Sequence, residues 1–268
     1  MPSYVIVGAS RGIGLEFVNT LSKSKDNVVF GIVRSPETVA ALNALAAAQP
    51  NVHVVKGDYT DVASLTAAAD AVGKVTGGTL DVLINSGAIQ FCANTFSKIT
   101  EYPSPAALDA DFLMGLQANA LGPAHATNAF LPLLRAGPTK KVAALTSPTS
   151  DAALVARSGF GLNCFYKAAK AALNVVMADF AVALREEGFA VVAISPGVVN
   201  TFTPNPDDEP PEGLKGVCAL FKKYAPEWDG RIMKPAESVR CMLEVIDRLT
   251  PEDSGATLGH HGKKEWLA

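Results

Sequence analysis

Val5-Ile6-Val7-Gly8-Ala9-Ser10-Arg11-Gly12-Ile13-Gly14 is the stretch that decides the fold. An apolar, β-branched run stops at Gly8, and three glycines fall within seven residues at Gly-x-x-x-Gly-x-Gly spacing. An apolar helical period then begins at Leu15, Phe17, Val18 and Leu21. The pattern reads as strand, tight turn, helix. Glycine allows the backbone angles of such a turn and lets a ligand approach the main chain. The helix that follows points unpaired N–H groups and its positive dipole end at the turn, which favours a phosphate there.

Outward from this stretch, short apolar runs alternate with helical segments. Val28–Val33, Val52–Val55, Leu80–Asn85, Val142–Thr146 and Phe189–Ile194 read as further strands, with Ala256–Leu258 as a short last one. Helices are expected from Pro36 to Ala48, from the Asp61 cap to about Val75, and from Leu108 to Leu134. Two more are expected, from Asn163 to Glu186 and from Pro235 to Leu249. Residues 203–230 read as irregular, a lid-like insertion before the last helix. The expected architecture is α/β, a doubly wound parallel sheet of Rossmann-like type, in one domain over 1–268. Ligands of such sheets bind at the carboxyl ends of the strands. Gly8, Arg34, Asp58, Asn85, Ser147 and Pro196 should therefore share one edge.

Composition narrows the class. Apolar residues make up 49% of the 268 and charged ones 18%, which suits a well-buried core. A net charge of −3 gives no electrostatic footprint for nucleic acid or an anionic membrane. Cys92, Cys164, Cys218 and Cys241 are far apart, so reduced thiols and a cytoplasmic location are expected rather than disulfides or zinc. No signal peptide or membrane-spanning stretch is read from the sequence. His260 and His261, on a strand, would point to opposite faces, and no metal site is expected.

Tyr166 and Lys170 are four residues apart on the helix after the fifth strand and share a face. A phenol is a poor acid near neutral pH, and a nearby ammonium favours the phenolate. Such a pair can exchange a proton with a carbonyl or an alcohol.

Together these motifs resemble the short-chain dehydrogenase/reductase family over nearly the whole chain. Gly8-x-x-x-Gly12-x-Gly14 matches its cofactor turn, and Asn85-Ser86-Gly87-Ala88 resembles its Asn-Asn-Ala-Gly motif. Asn119 falls at its helix asparagine, Tyr166-x-x-x-Lys170 at its catalytic pair, and Pro196-Gly197-x-x-x-Thr201 at its Pro-Gly motif. The chain departs from the family at Val7, usually Thr, and at Ala169, often Ser. The resemblance implies that Tyr166 donates a proton, that Lys170 lowers its pKa and holds the nicotinamide ribose, and that Asn119 anchors a water. It implies a serine that binds the carbonyl oxygen. Ser147, at the end of the fifth strand, is the choice, although its gap to Tyr166 is wide and Ser150 and Ser158 lie between.

The resemblance also implies a bed for NADPH or NADP+. It comprises Gly8, Ser10, Arg11, Gly12, Ile13, Gly14, Arg34, Asp58, Tyr59, Asn85, Gly87, Tyr166, Lys170, Pro196, Gly197, Val199 and Thr201. Arg34 ends the second strand where NAD users often place a carboxylate, and Arg11 lies in the turn, so NADPH is the expected cofactor.

The substrate is expected to be a small aromatic or lipophilic carbonyl compound. Leu154, Val155, Phe160 and Leu162 precede the Tyr-Lys pair, Phe202 borders the lid, and Leu214, Leu220, Phe221, Tyr224 and Trp228 lie in it. Arg157, a solvated arginine by default, is the candidate for meeting an acidic or phenolic group, and Cys164 is expected to be merely packed. Within the family, Ala171-Ala172-Leu173-Asn174 and the glycine-tryptophan tail most resemble carbonyl reductases of the sniffer and C-factor type and fungal ketoreductases of aromatic polyketides. The alternatives are an NADP-binding sensor without turnover and an NAD-dependent alcohol dehydrogenase. Family members form dimers or tetramers, and some are monomers.

Overall fold

The computed structural model describes residues 1–203, 208–224, 226 and 228–264, with the backbone alone at Tyr224. Seven strands form one parallel sheet: β1 (Ser3–Val7), β2 (Val28–Val33), β3 (Val52–Lys56), β4 (Val82–Asn85), β5 (Lys141–Leu145), β6 (Ala190–Ile194) and β7 (Thr257–Leu258). Their order is β3-β2-β1-β4-β5-β6-β7, so the winding reverses between β1 and β4. Val7 pairs with Asn85 at that reversal, which opens the crevice where ligands of such sheets bind.

Alternation along β1 shows how the sequence builds two layers. Tyr4 and Ile6 face one cluster, with Phe17, Val18, Met242 and Ile246; Val5 and Val7 face the other, with Leu65, Phe130, Leu173 and Met177. On the first side lie α1 (Gly12–Leu21), α2 (Ala40–Ala48) and α9 (Pro235–Arg248). On the second lie α3 (Val62–Thr76), α5 (Gly122–Ala136) and α7 (Cys164–Ala183). Asp61 caps α3 as expected, accepting from Ser64 N at 3.1 Å.

Several elements differ from the sequence reading. Pairing in β4 starts at Val82, because Leu80 N bonds to Leu133 O and Asp81 accepts from Ser3 N and Oγ at 2.8 Å each. The long helix begins at Pro105 as α4 (Pro105–Leu116), with the Ser104 hydroxyl as cap, and passes through a π-helical segment, Gln117–Leu121, before α5. Two helices were not expected, α6 (Ala152–Ser158) and α8 (Glu212–Tyr224). His260 and His261 lie in a turn after β7, not on a strand, and their ring centroids are 4.1 Å apart.

Candidate active site

The glycines of the first turn do two different jobs. A Cβ on Gly14 would sit 2.1 Å from Gly8 O, and one on Gly8 would sit 2.3 Å from Gly87 Cα. These positions let α1 and the β4 loop close onto the end of β1. Gly8 and Gly12 also have positive φ, +91° and +56°. Gly12 faces the open side, where an added Cβ would meet Thr201 Cγ2 at 3.4 Å. No side chain caps the N-terminus of α1, so its first N–H groups point towards the crevice.

Two cavities flank this turn. One, of about 290 Å³, is lined by Gly8, Ser10, Arg34, Ser35, Asp58, Tyr59 and Ala88 among others. Arg34 is exposed at its rim, and Arg11 is exposed beside the turn without lining it. Asp58 accepts from Thr60 N and Oγ1 at 2.9 Å each. The other cavity, of about 540 Å³, is bounded by Ile13, Ser147, Tyr166, Pro196, Gly197, Val199 and Thr201 on its polar and backbone side. Its remaining walls are Phe91, Phe96, Phe160, Leu162, Phe202, Leu214, Val217 and Phe221. At the mouth the Phe91 ring lies 5.6 Å from Phe202, edge-on, and 6.5 Å from Phe96.

The structure brings Ser147 and Tyr166 into one cavity and leaves Ser150 and Ser158 out of its lining. Ser147 Oγ lies 2.9 Å from Thr149 Oγ1, and both residues line the cavity. Ser150 Oγ donates to Ser147 O at 2.7 Å and accepts from Asn174 Nδ2 at 2.8 Å. Ser158 is fully buried at the end of α6. Thr149 is the residue the sequence reading passed over; its place two residues after a strand-end serine was the available signal.

Lys170 is buried on α7, its Nζ donating to Leu145 O at 2.6 Å and standing 5.7 Å from the Tyr166 ring centroid. Burial pushes the Tyr166 phenol up to about 12 and the Lys170 ammonium down to about 7. Desolvation moves the phenol up, the opposite direction to the lowering expected from its neighbour.

Asn119 and Asn85 support the site rather than line it. Asn119 is fully buried in the π-helical segment, its Oδ1 accepting from Ile89 N at 2.7 Å and its Nδ2 donating to Ile89 O at 2.8 Å. Its side chain fixes the β4 loop. Asn85 is likewise committed, accepting from Tyr59 OH at 3.1 Å and donating to Thr127 Oγ1 at 3.2 Å. Tyr59 commits its hydroxyl to that bond and also lines the smaller cavity. Gly197, with φ +77°, closes onto Met233 and His260.

Arg157 is exposed and lies outside the cavity lining. Cys164 Sγ contacts Tyr102 OH at 3.6 Å, away from the cavity. Phe221, Trp228, Leu154 and Cys218 form a small core joining α8 to α6. Asp207, the Tyr224 side chain and Trp266 lie outside the described residues. Among the described residues no helix is long and apolar enough to cross a membrane.

The short chain dehydrogenase family model matches residues 3–211. A short-chain dehydrogenase/reductase of Aspergillus aculeatus, AacuF, is 41% identical over 269 residues and covers all of both chains. Another from an Arthrinium species, atnB, is 38% identical with the same coverage. Among solved structures, the NADPH-bound carbonyl reductase from chicken fatty liver superposes with a TM-score of 0.79 at 28% identity, over 98% of each chain. The carbonyl reductase Sniffer of D. melanogaster gives 0.77 at 21% identity over 98% of each, a likeness of fold. With its reversed-winding sheet, its glycine turn and its Tyr166–Lys170 helix, this chain belongs to the short-chain dehydrogenase/reductase family of oxidoreductases.

Proposed function

We propose that the protein reduces a ketone or aldehyde, aromatic or otherwise lipophilic, to an alcohol with NADPH. The observation that carries this is the apolar 540 Å³ cavity, in which Tyr166 and Ser147 stand together beside the Pro196-Gly197 loop. The cofactor fits the residues present. An uncapped helix N-terminus with positive-φ glycines suits a pyrophosphate, and Arg34 at the smaller cavity suits a 2′-phosphate. The chicken carbonyl reductase holds NADPH on the same fold. Gly12, Ile13 and Thr201 would hold its middle, and Pro196, Gly197 and Val199 its reactive end; when bound, the reduced nicotinamide supplies the hydride.

The chain's own residues do the rest. Tyr166 OH donates a proton to the carbonyl oxygen as that oxygen gains negative charge, and the Ser147 hydroxyl donates a hydrogen bond to the same atom. Tyr166, raised further by burial, carries its proton at neutral pH, the form a donor to the carbonyl oxygen needs. Apolar walls exclude water from the charged transition state. Within the single domain, α8 covers the cavity through Leu214, Val217 and Phe221. The cytoplasm, where NADPH is at hand, is the compartment this reading expects.

The test is NADPH consumption against a panel of aromatic and aliphatic ketones and aldehydes. Aromatic substrates should be preferred, and Tyr166→Phe should lower kcat by ~10²–10⁴-fold while NADPH affinity is kept. A variant that retains more than about a tenth of the rate, with chemistry limiting, would refute the role of Tyr166.

A further inference from the structure

Lys167 stands on α7 one residue after Tyr166, only 9% exposed, in the wall of the larger cavity. Its Nζ donates to Phe160 O at 2.6 Å and lies 5.2 Å from the Phe160 ring centroid. An ammonium carries three donors, and this contact accounts for one. Among the described residues, the Cys164 thiol is the only acidic neighbour acting on it, and burial pushes its pKa down. The surrounding walls are Phe91, Phe96, Phe202 and Phe221. Buried cations are ordinarily paired, because desolvation costs more than one carbonyl returns. Among the described residues, the cavity lining thus carries a cation and no carboxylate to pair with it.

We propose that Lys167 recognises a carboxylate on the substrate, which is an aromatic carbonyl compound bearing that carboxylate at the ring edge away from the reacting carbonyl. The inference rests on the reading of this cavity as the carbonyl-binding site. Successive helix positions diverge by about 100°, so a carbonyl at Tyr166 and an anion at Lys167 lie apart, with an aromatic framework between them. The aromatic walls supply stacking area for that framework. A carboxylate is ionised at neutral pH, whereas an ordinary phenol is not. The purely structural role, fastening Phe160 to α7, predicts a loss of stability on substitution and no change in ligand choice.

The test uses two ligands that cannot be reduced, 2-naphthoate and the neutral 2-naphthamide, titrated calorimetrically into the NADPH-loaded full chain. Wild type should bind the naphthoate ~10–100-fold more tightly, the range of a charge-assisted hydrogen bond. Lys167→Met should bring the ratio to about one while naphthamide and NADPH affinities stay within about threefold. Equal affinities in wild type, no measurable binding of either ligand, or an undiminished preference in the variant would each overturn the proposal. If the variant does not fold, the wild-type ratio alone decides. Because neither ligand is reduced, a chain that selects naphthoate through Lys167 yet oxidises no NADPH with ketones would refute the reductase reading while leaving the carboxylate contact of Lys167 in place.

Discussion

Lys170 holds its place through one carbonyl, Leu145 O, and that choice of partner sets its chemistry. Burial moves it from the ordinary 10.5 down to about 7. Between those values the folded chain binds fewer protons than the unfolded one. The desolvation penalty is complete below pH 7, where both states carry the ammonium, and is relieved as pH rises towards 10.5. Compared with Lys170→Met, wild type should gain up to ~1.4 kcal/mol of stability per pH unit above about 7. Urea denaturation of both proteins from about pH 6 to 9 checks this; a difference that stays flat would mean that Lys170 keeps its charge when folded. Tyr166, pushed up to about 12, remains protonated across the same range.

At the scale of elements, α8 is attached differently from the helices that flank the sheet. It meets α6 through Leu154, Cys218, Phe221 and Trp228, a cluster separate from the two main cores. Local stability follows local burial. Trypsin should therefore cut at the exposed Lys222 or Lys223 before any site in the sheet layers. NADPH together with an aromatic ligand in the cavity should slow that cut, since Leu214, Val217 and Phe221 line it. Equal cleavage rates with and without ligands would show that α8 takes no part in covering the site. Signals for both unexpected helices stand in the sequence: Asp151 accepts from Ala153 N and Leu154 N ahead of α6, and α8 opens with Glu212 and closes with Lys222 and Lys223. Prolines and scattered charges on either side of α8 outweighed its helical period when the chain was read alone.

At the scale of the molecule, the crevice at the β1–β4 reversal gathers groups from distant parts of the chain, so ligand binding should tie both halves of the sheet together. NADPH at about a hundredfold its Kd stabilises by ~2.7 kcal/mol, a rise in Tm of ~5–10 °C for a chain of this size. NADH at the same concentration should give a clearly smaller rise, because Arg34 has no 2′-phosphate to bind. Arg34→Ala should reduce the NADPH shift towards that of NADH; equal shifts in wild type would overturn the cofactor assignment. The sequence by itself determined the parallel sheet, its strand cores and the order of the motifs. Those features rest on local periodicity: alternation in β1, the glycines at positions 8, 12 and 14, and the four-residue step from Tyr166 to Lys170. Three things were decided only by the tertiary structure. Ser147 rather than Ser150 or Ser158 lines the same cavity as Tyr166, because Ser150 is turned to Asn174 and Ser158 is buried at the end of α6. Asn85 and Tyr59 bond to each other beneath the crevice instead of lining it with polar groups, since closure of the β4 loop over Gly8 buries them. Desolvation, which depends on every layer packed around a group, reversed the direction in which the Tyr166 phenol is shifted.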